Sequence, residues 1–207
     1  METEEEQVER LKAWLKENGL SIVMGIVIGV GGIFGYNYWL HVQETTAEEA
    51  SGHFTQMMEA LSAGNNAVVQ EQAGMLLSNY GSTDYAMMAQ LALAKSYVAS
   101  GEYEKAESSL QQVVGSAAEQ PLAFVARTRL AAVQIQSGQY ENALTSLSID
   151  FPQEFAAIVN ELRGDIYALQ GRSAEAIEAY RKAQTAEPKP ANVEFLRQKL
   201  NDLGGKG

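Results

Sequence analysis

Residues 164–188 read GDIYALQGRSAEAIEAYRKAQTAEP. Within them Gly164, Tyr167, Gly171, Ala176, Tyr180, Ala183 and Pro188 follow one another as small residue, aromatic, glycine, alanine, aromatic, alanine, proline. The order has a physical meaning. Small residues let two helices approach closely, rings fill the layer between them, glycine ends the first helix in a left-handed turn and proline stops the second. The stretch therefore predicts a helical hairpin, with helices near 154–170 and 173–185.

Upstream, Gly64, Gly101 and Gly138 precede Gly171 at successive gaps of 37, 37 and 33 residues. Around Gly138 stand Ala131, Gln134, Ala143 and Leu147; around Gly101 stand Ala94, Tyr97, Ala106 and Leu110. The copy at Gly64 keeps little beyond its glycine and flanking apolar runs. This is the tetratricopeptide pattern, in which each repeat is a hairpin that buries its apolar face only against its neighbours. Further helices are expected near 44–63, 66–79, 83–100, 103–115, 121–137 and 140–148. A last one near 190–202 sets Val193, Leu196 and Leu200 against Glu194, Arg197 and Lys199, as a capping helix requires. No stretch alternates with period two, so the fold class is all-α: an α-solenoid of helical hairpins with a C-terminal capping helix.

Ahead of the array, Leu20 to Leu40 form a run of 21 residues with no Asp, Glu, Lys, Arg or His. As a helix it reaches about 30 Å, the thickness of the bilayer hydrocarbon. It is longer than a signal-peptide apolar core and ends in Tyr36, Tyr38 and Trp39 instead of a small-residue cleavage site, so it reads as an uncleaved transmembrane anchor. Arg10, Lys12 and Lys16 precede it, and the next basic residue is Lys95. That asymmetry predicts a cytoplasmic segment 1–19, a span 20–40 and a domain 41–207 on the far side, which for a bacterial inner membrane is the periplasm. Gly25, Gly29 and Gly32 share one face of the span, where a partner helix can pack, although glycine is common in such helices. Before the span, Val8, Leu11, Trp14 and Leu15 mark the apolar face of a short helix at the membrane surface.

Composition narrows the function. The net charge is −11, from 15 Lys and Arg against 26 Asp and Glu, which argues against nucleic acid as a partner. The absence of Cys removes thiol nucleophiles, thiolate metal sites and disulfides. His41 and His53 are the only histidines; Glu49 and His53 stand one turn apart, which by itself is a weak basis for a metal site. No nucleophile, base and acid constellation, phosphate loop or cofactor motif is present. The sequence predicts a non-enzymatic binding module without cofactor or metal.

In an array of this kind the first helix of each hairpin lines the inner surface. The positions that map there are Met88, Leu91, Lys95 and Val98, then Val125, Thr128, Ala132 and Ile135, then Ile158, Glu161, Asp165 and Ala168. The surface is mostly apolar and suits an extended hydrophobic segment or an amphipathic helix. Clamping a carboxylate calls for Lys, Arg or Asn, and among the mapped positions only Lys95 qualifies. The same side chains are also compatible with packing on a neighbouring helix or a second copy. Residues 41–94 carry six acidic and no basic side chains, a second surface that would favour a basic partner.

The chain resembles the YfgM family, ancillary subunits of the SecYEG translocon. The resemblance rests on the anchor blocks LKENG (15–19), GIVIGVG (25–31) and GYNYW (35–39), together with EYEKA (102–106), LAAVQIQ (130–136) and AAIVNELRGD (156–165). It implies a single-pass inner-membrane protein whose partners are the SecYEG translocon, a periplasmic parvulin-like foldase similar to PpiD, membrane lipid and unfolded or emerging secretory proteins passed on to chaperones. A structural scaffold or adaptor of another envelope assembly complex uses the same fold and remains the alternative.

Overall fold

The computed structural model describes residues 4–116 and 121–205. Its helices are α1 (Glu4–Ser62), α2 (Asn66–Asn79), α3 (Asp84–Ala99), α4 (Tyr103–Ser116), α5 (Pro121–Gln136), α6 (Tyr140–Ser146), α7 (Ala156–Leu169), α8 (Ser173–Thr185) and α9 (Val193–Asp202). A 3₁₀ turn, Gln153–Phe155, leads into α7. No strand occurs among the described residues. The chain divides into two compact units, residues 1–49 and 50–207.

The all-α reading holds, and the helix limits agree with the predicted ones within a few residues, with one large exception. The separate surface helix, span and first solenoid helix expected from the sequence are a single helix, α1, of 59 residues. Nothing in the sequence interrupts it: the first proline is Pro121, and short polar side chains that end helices elsewhere bond back into this one. Asn18 donates to the Trp14 carbonyl at 3.0 Å, and the Thr45 and Thr46 hydroxyls donate to the carbonyls of His41 and Val42. One 18-residue window of α1 has a mean hydropathy of 1.9 and none of it is buried, so among the described residues one helix is long and apolar enough to cross a membrane.

In the second unit the turn glycines fix the array. Gly64, Gly101, Gly138 and Gly171 have φ between 71° and 76°, a region that costs a side chain with a Cβ about 1–2 kcal/mol. Each is followed by the same bond, in which the next residue's N–H returns to the carbonyl four positions before the glycine: Asn65 to Ala60, Glu102 to Tyr97, Gln139 to Gln134 and Arg172 to Tyr167, at 2.7–2.9 Å. Gly204, with φ 77°, repeats the motif through Gly205 N–H to Leu200 O at 2.9 Å. It lies 33 residues beyond Gly171. The capping helix α9 is thus built as the first helix of a further hairpin.

Packing follows the repeat. Met57, Val69 and Leu76 centre the first buried cluster, Leu110 and Val113 the second, Leu147 and Ile166 the third, and Tyr180, Leu196 and Leu200 the last. Burying each of these large side chains contributes about 1.5–3 kcal/mol, so the core runs along the array instead of gathering at one centre. Two boundaries differ from expectation for local reasons. Helix α6 stops at Ser146, and the following chain turns so that Phe151, just before Pro152, meets Phe124 and Phe155 with ring centroids 5.7 and 6.1 Å away. Helix α9 starts at Val193 and not near Pro190, because the Asn192 side chain accepts the Phe195 N–H at 3.0 Å and caps it there.

Candidate functional site

Helices α3 and α5 are the first helices of consecutive hairpins, and α4 lies between them in sequence with its Leu110 at the base. Together they enclose an open cleft of about 410 Å³ lined by Leu91, Ala94, Lys95, Val98, Leu110, Arg129, Ala132 and Val133. The lining has two layers. Leu91, Ala94, Leu110 and Val133 are buried members of the second core cluster; Val98 is 38% exposed, and Lys95, Arg129 and Ala132 stand open to solvent. The lower layer therefore holds the hairpins together while the upper layer is free to meet another molecule.

Of the residues mapped to the inner surface, Leu91, Lys95, Val98 and Ala132 come together at this cleft. Met88, Val125, Thr128, Ile135 and Ile158 lie outside its lining. Met88 and Ile158 are exposed at 39% and 40%. Thr128 is buried and its hydroxyl donates to the Val125 carbonyl at 3.0 Å, while Ile135 packs against the third core cluster. Glu161 and Asp165 are occupied from within: the Lys199 ammonium of α9 donates to Glu161 at 2.9 Å and to both Asp165 oxygens at 2.7 and 2.9 Å. Ala168 packs in the last cluster. The inner surface expected along α7 is thus closed by the capping helix at these positions.

The expectation that Lys95 alone supplies positive charge is corrected, because Arg129 lines the same cleft. A stripe drawn through Thr128 and Ala132 passes over Arg129, yet Arg129 and Ala132 are three apart and share a helix face. The signal was that spacing, and it needed the neighbouring helix to give it a partner.

Around Lys199 the electrostatics are strongly cooperative. Burial pulls its ammonium down, but the hydrogen bonds to Asp165 and Glu161 outweigh this and hold it above the ordinary lysine range. Burial, reinforced by the Asp165 hydrogen bond, pushes the Tyr180 phenol up; its hydroxyl donates to Asp165 at 2.7 Å. This network closes the array and is structural. His53 is likewise used in the fold, with Nδ1 2.7 Å from the Gln72 amide oxygen and its ring 5.6 Å from that of Tyr80. Among the described residues no three His, Asp or Glu side chains gather as a metal site would.

In the first unit, Gly25, Gly29 and Gly32 lie on α1, and a Cβ added at any of them would meet nothing within 4 Å. Their face is open within this chain. Tyr36 and Trp39 stack at the end of the apolar run, with ring centroids 6.1 Å apart.

Comparison with known proteins agrees with this architecture. The model of a tetratricopeptide repeat-like domain matches residues 12–205. A protein of Escherichia coli (strain K12) named ancillary SecYEG translocon subunit is 32% identical over 202 residues, covering 98% of this chain and 97% of the relative. A protein of the same name from Aggregatibacter actinomycetemcomitans is 34% identical over 200 residues, covering 97% of each. Among solved structures, MamA of Desulfovibrio magneticus RS-1, from residue 41 to its end, superposes with a TM-score of 0.57 at 19% identity, covering 75% of this chain and 87% of that one. The MamA likeness speaks to the fold alone. With the repeat pattern, the anchor and near full-length identity all in agreement, the chain belongs to the tetratricopeptide repeat-like family of ancillary SecYEG translocon subunits.

Proposed function

We propose that this protein is a single-pass subunit of the bacterial inner membrane that accompanies the SecYEG translocon and binds emerging secretory chains, without catalysis, on their way to periplasmic chaperones. The carrying observation is the α3–α5 cleft, where Val98 and Ala132 are open above a base of Leu91 and Leu110. A side chain seated there contacts apolar surface already fixed by the core, so little must be ordered on binding. The names of the relatives support the translocon as the assembly, and an anchor in the same membrane would keep the array near it. A parvulin-like foldase would receive the bound chain, and the glycine face of the span, Gly25, Gly29 and Gly32, would pack on a membrane partner.

The test of binding uses the full chain in membranes with a photo-crosslinking side chain at Met88, on the same helix as the cleft. It should crosslink to a secretory chain arrested in the translocon. Val98→Gln with Ala132→Gln replaces the apolar upper layer with uncharged polar side chains without touching the buried one, so crosslinking should fall several-fold at unchanged helicity. Crosslinking that persists in the folded double variant would move the binding surface elsewhere. Leu91→Asp is unsuitable, because Leu91 is only 8% exposed and its loss would break the core.

Orientation is tested separately. Arg10, Lys12 and Lys16 before the span, and no basic residue after it until Lys95, favour the periplasmic side for the array. A reporter active only in the periplasm should be active when fused after Gly207; activity of a cytoplasm-only reporter at the same position would reverse the assignment.

A further inference from the structure

Five cations of the second unit are held by carboxylates. Lys105 pairs with Glu102, Arg172 with Glu175, Lys182 with Glu178, Arg197 with Glu194, and Lys199 with Glu161 and Asp165. Lys95 and Arg129 are among the cations that hold no carboxylate among the described residues, and these two line the α3–α5 cleft, whose other walls are aliphatic. Two unpaired cations beside an apolar floor form a complementary surface for a group that is apolar and anionic at once.

We infer that the α3–α5 cleft takes an internal, extended peptide segment in which Asp or Glu flanks an aliphatic residue, the aliphatic side chain lying over Leu91, Val98 and Ala132 and the flanking carboxylates reaching Lys95 and Arg129. This rests on the binding function proposed above and names its substrate class. The cleft's volume of about 410 Å³ accommodates a few side chains and not a long helix face, so recognition is of a short segment. Both cations stand in solvent, which makes their contribution modest and sensitive to salt. Lys-rich segments are disfavoured at the same place by like charge.

The experiment uses the full chain in detergent and three fluorescent peptides, acetylated and amidated, whose central Leu is flanked by Glu, Gln or Lys. The Glu peptide should bind roughly fivefold tighter than the Gln peptide, the sum of two exposed charge pairs, and the Lys peptide more weakly than either. The preference should collapse near 1 M salt, where the screening length is about 3 Å. In Lys95→Glu with Arg129→Glu the order should invert, with Lys now preferred. Equal binding of all three peptides would leave the apolar binding function standing and overturn the acidic specificity. Failure of all three to bind would overturn the binding function as well. Binding only by a Glu peptide with a free C-terminal carboxylate would assign the cleft to chain ends and overturn the internal-segment reading.

Discussion

Gly164→Ala is expected to lower the thermal midpoint of the protein by roughly 3–8 °C, at about 2–4 °C per kcal/mol for a domain of this size. A Cβ at Gly164 would lie 2.4 Å from two ring carbons of Tyr180, a separation that cannot persist. Tyr180 has little freedom to retreat, since it is 2% exposed and its hydroxyl is held by Asp165 at 2.7 Å. The opposing effect is the better helix propensity of alanine, worth up to about 1 kcal/mol. Overpacking of a filled core costs about 1–3 kcal/mol, so the clash wins. Gly74 is the matched control: it is also helical, in α2, but a Cβ there meets nothing within 4 Å. Gly74→Ala should therefore raise the midpoint slightly. Calorimetry of both variants decides the matter, and a Gly164→Ala protein as stable as the wild type would mean that α7 and α8 are packed less tightly than described.

Lys199→Ala is expected to destabilise the C-terminal hairpin by about 1–3 kcal/mol, between the range for exposed pairs and that for fully buried ones. The intermediate value follows from exposure: the side chains of Lys199, Glu161 and Asp165 are 18%, 20% and 26% exposed. Removing the ammonium leaves two carboxylates one turn apart on α7, partly shielded from water, with no cation between them. Helix α9 should lose amide protection first, which hydrogen exchange would read directly. The pH dependence has a definite sign. Because the folded protein holds Lys199 above its ordinary value of 10.5, the stabilisation is fully present below that pH and is lost as pH rises through the raised folded value. The stability gap between wild type and Lys199→Ala should then be constant from pH 7 to about 10 and narrow at higher pH. A gap that is already absent at pH 8 would show that the triad contributes nothing net.

The period of glycines was enough to predict the hairpins, because a left-handed turn residue is a local requirement that the chain must meet whatever surrounds it. Gly64 marked its turn even where the rest of that repeat had lost its pattern. The span was equally legible, since bilayer thickness sets a length and an uncharged run of that length satisfies it. Continuity of α1 was not predicted, because a change from apolar to acidic composition suggests a boundary although nothing near it breaks a helix. Helix ends at Ser146 and Val193 depended on the Phe124, Phe151 and Phe155 cluster and on the Asn192 cap, one a contact between distant residues and the other a choice among several polar candidates.

The candidate site divides in the same way. From the residues alone follow an all-helical array, one anchor and a set of inner positions that includes Leu91, Lys95, Val98 and Ala132, because each depends only on periodicity within a helix or along the chain. Only tertiary structure decides which of those positions share a cleft, that Leu91 belongs to the core beneath it, that Arg129 joins Lys95 above it, and that Lys199 closes the array over Glu161 and Asp165. The physical reason is separation along the chain: Lys95 and Arg129 come from different hairpins, and Lys199 reaches α7 from beyond α8. Periodicity assigns each residue a face on its own helix, but the angle and register at which two helices pack determine which faces meet.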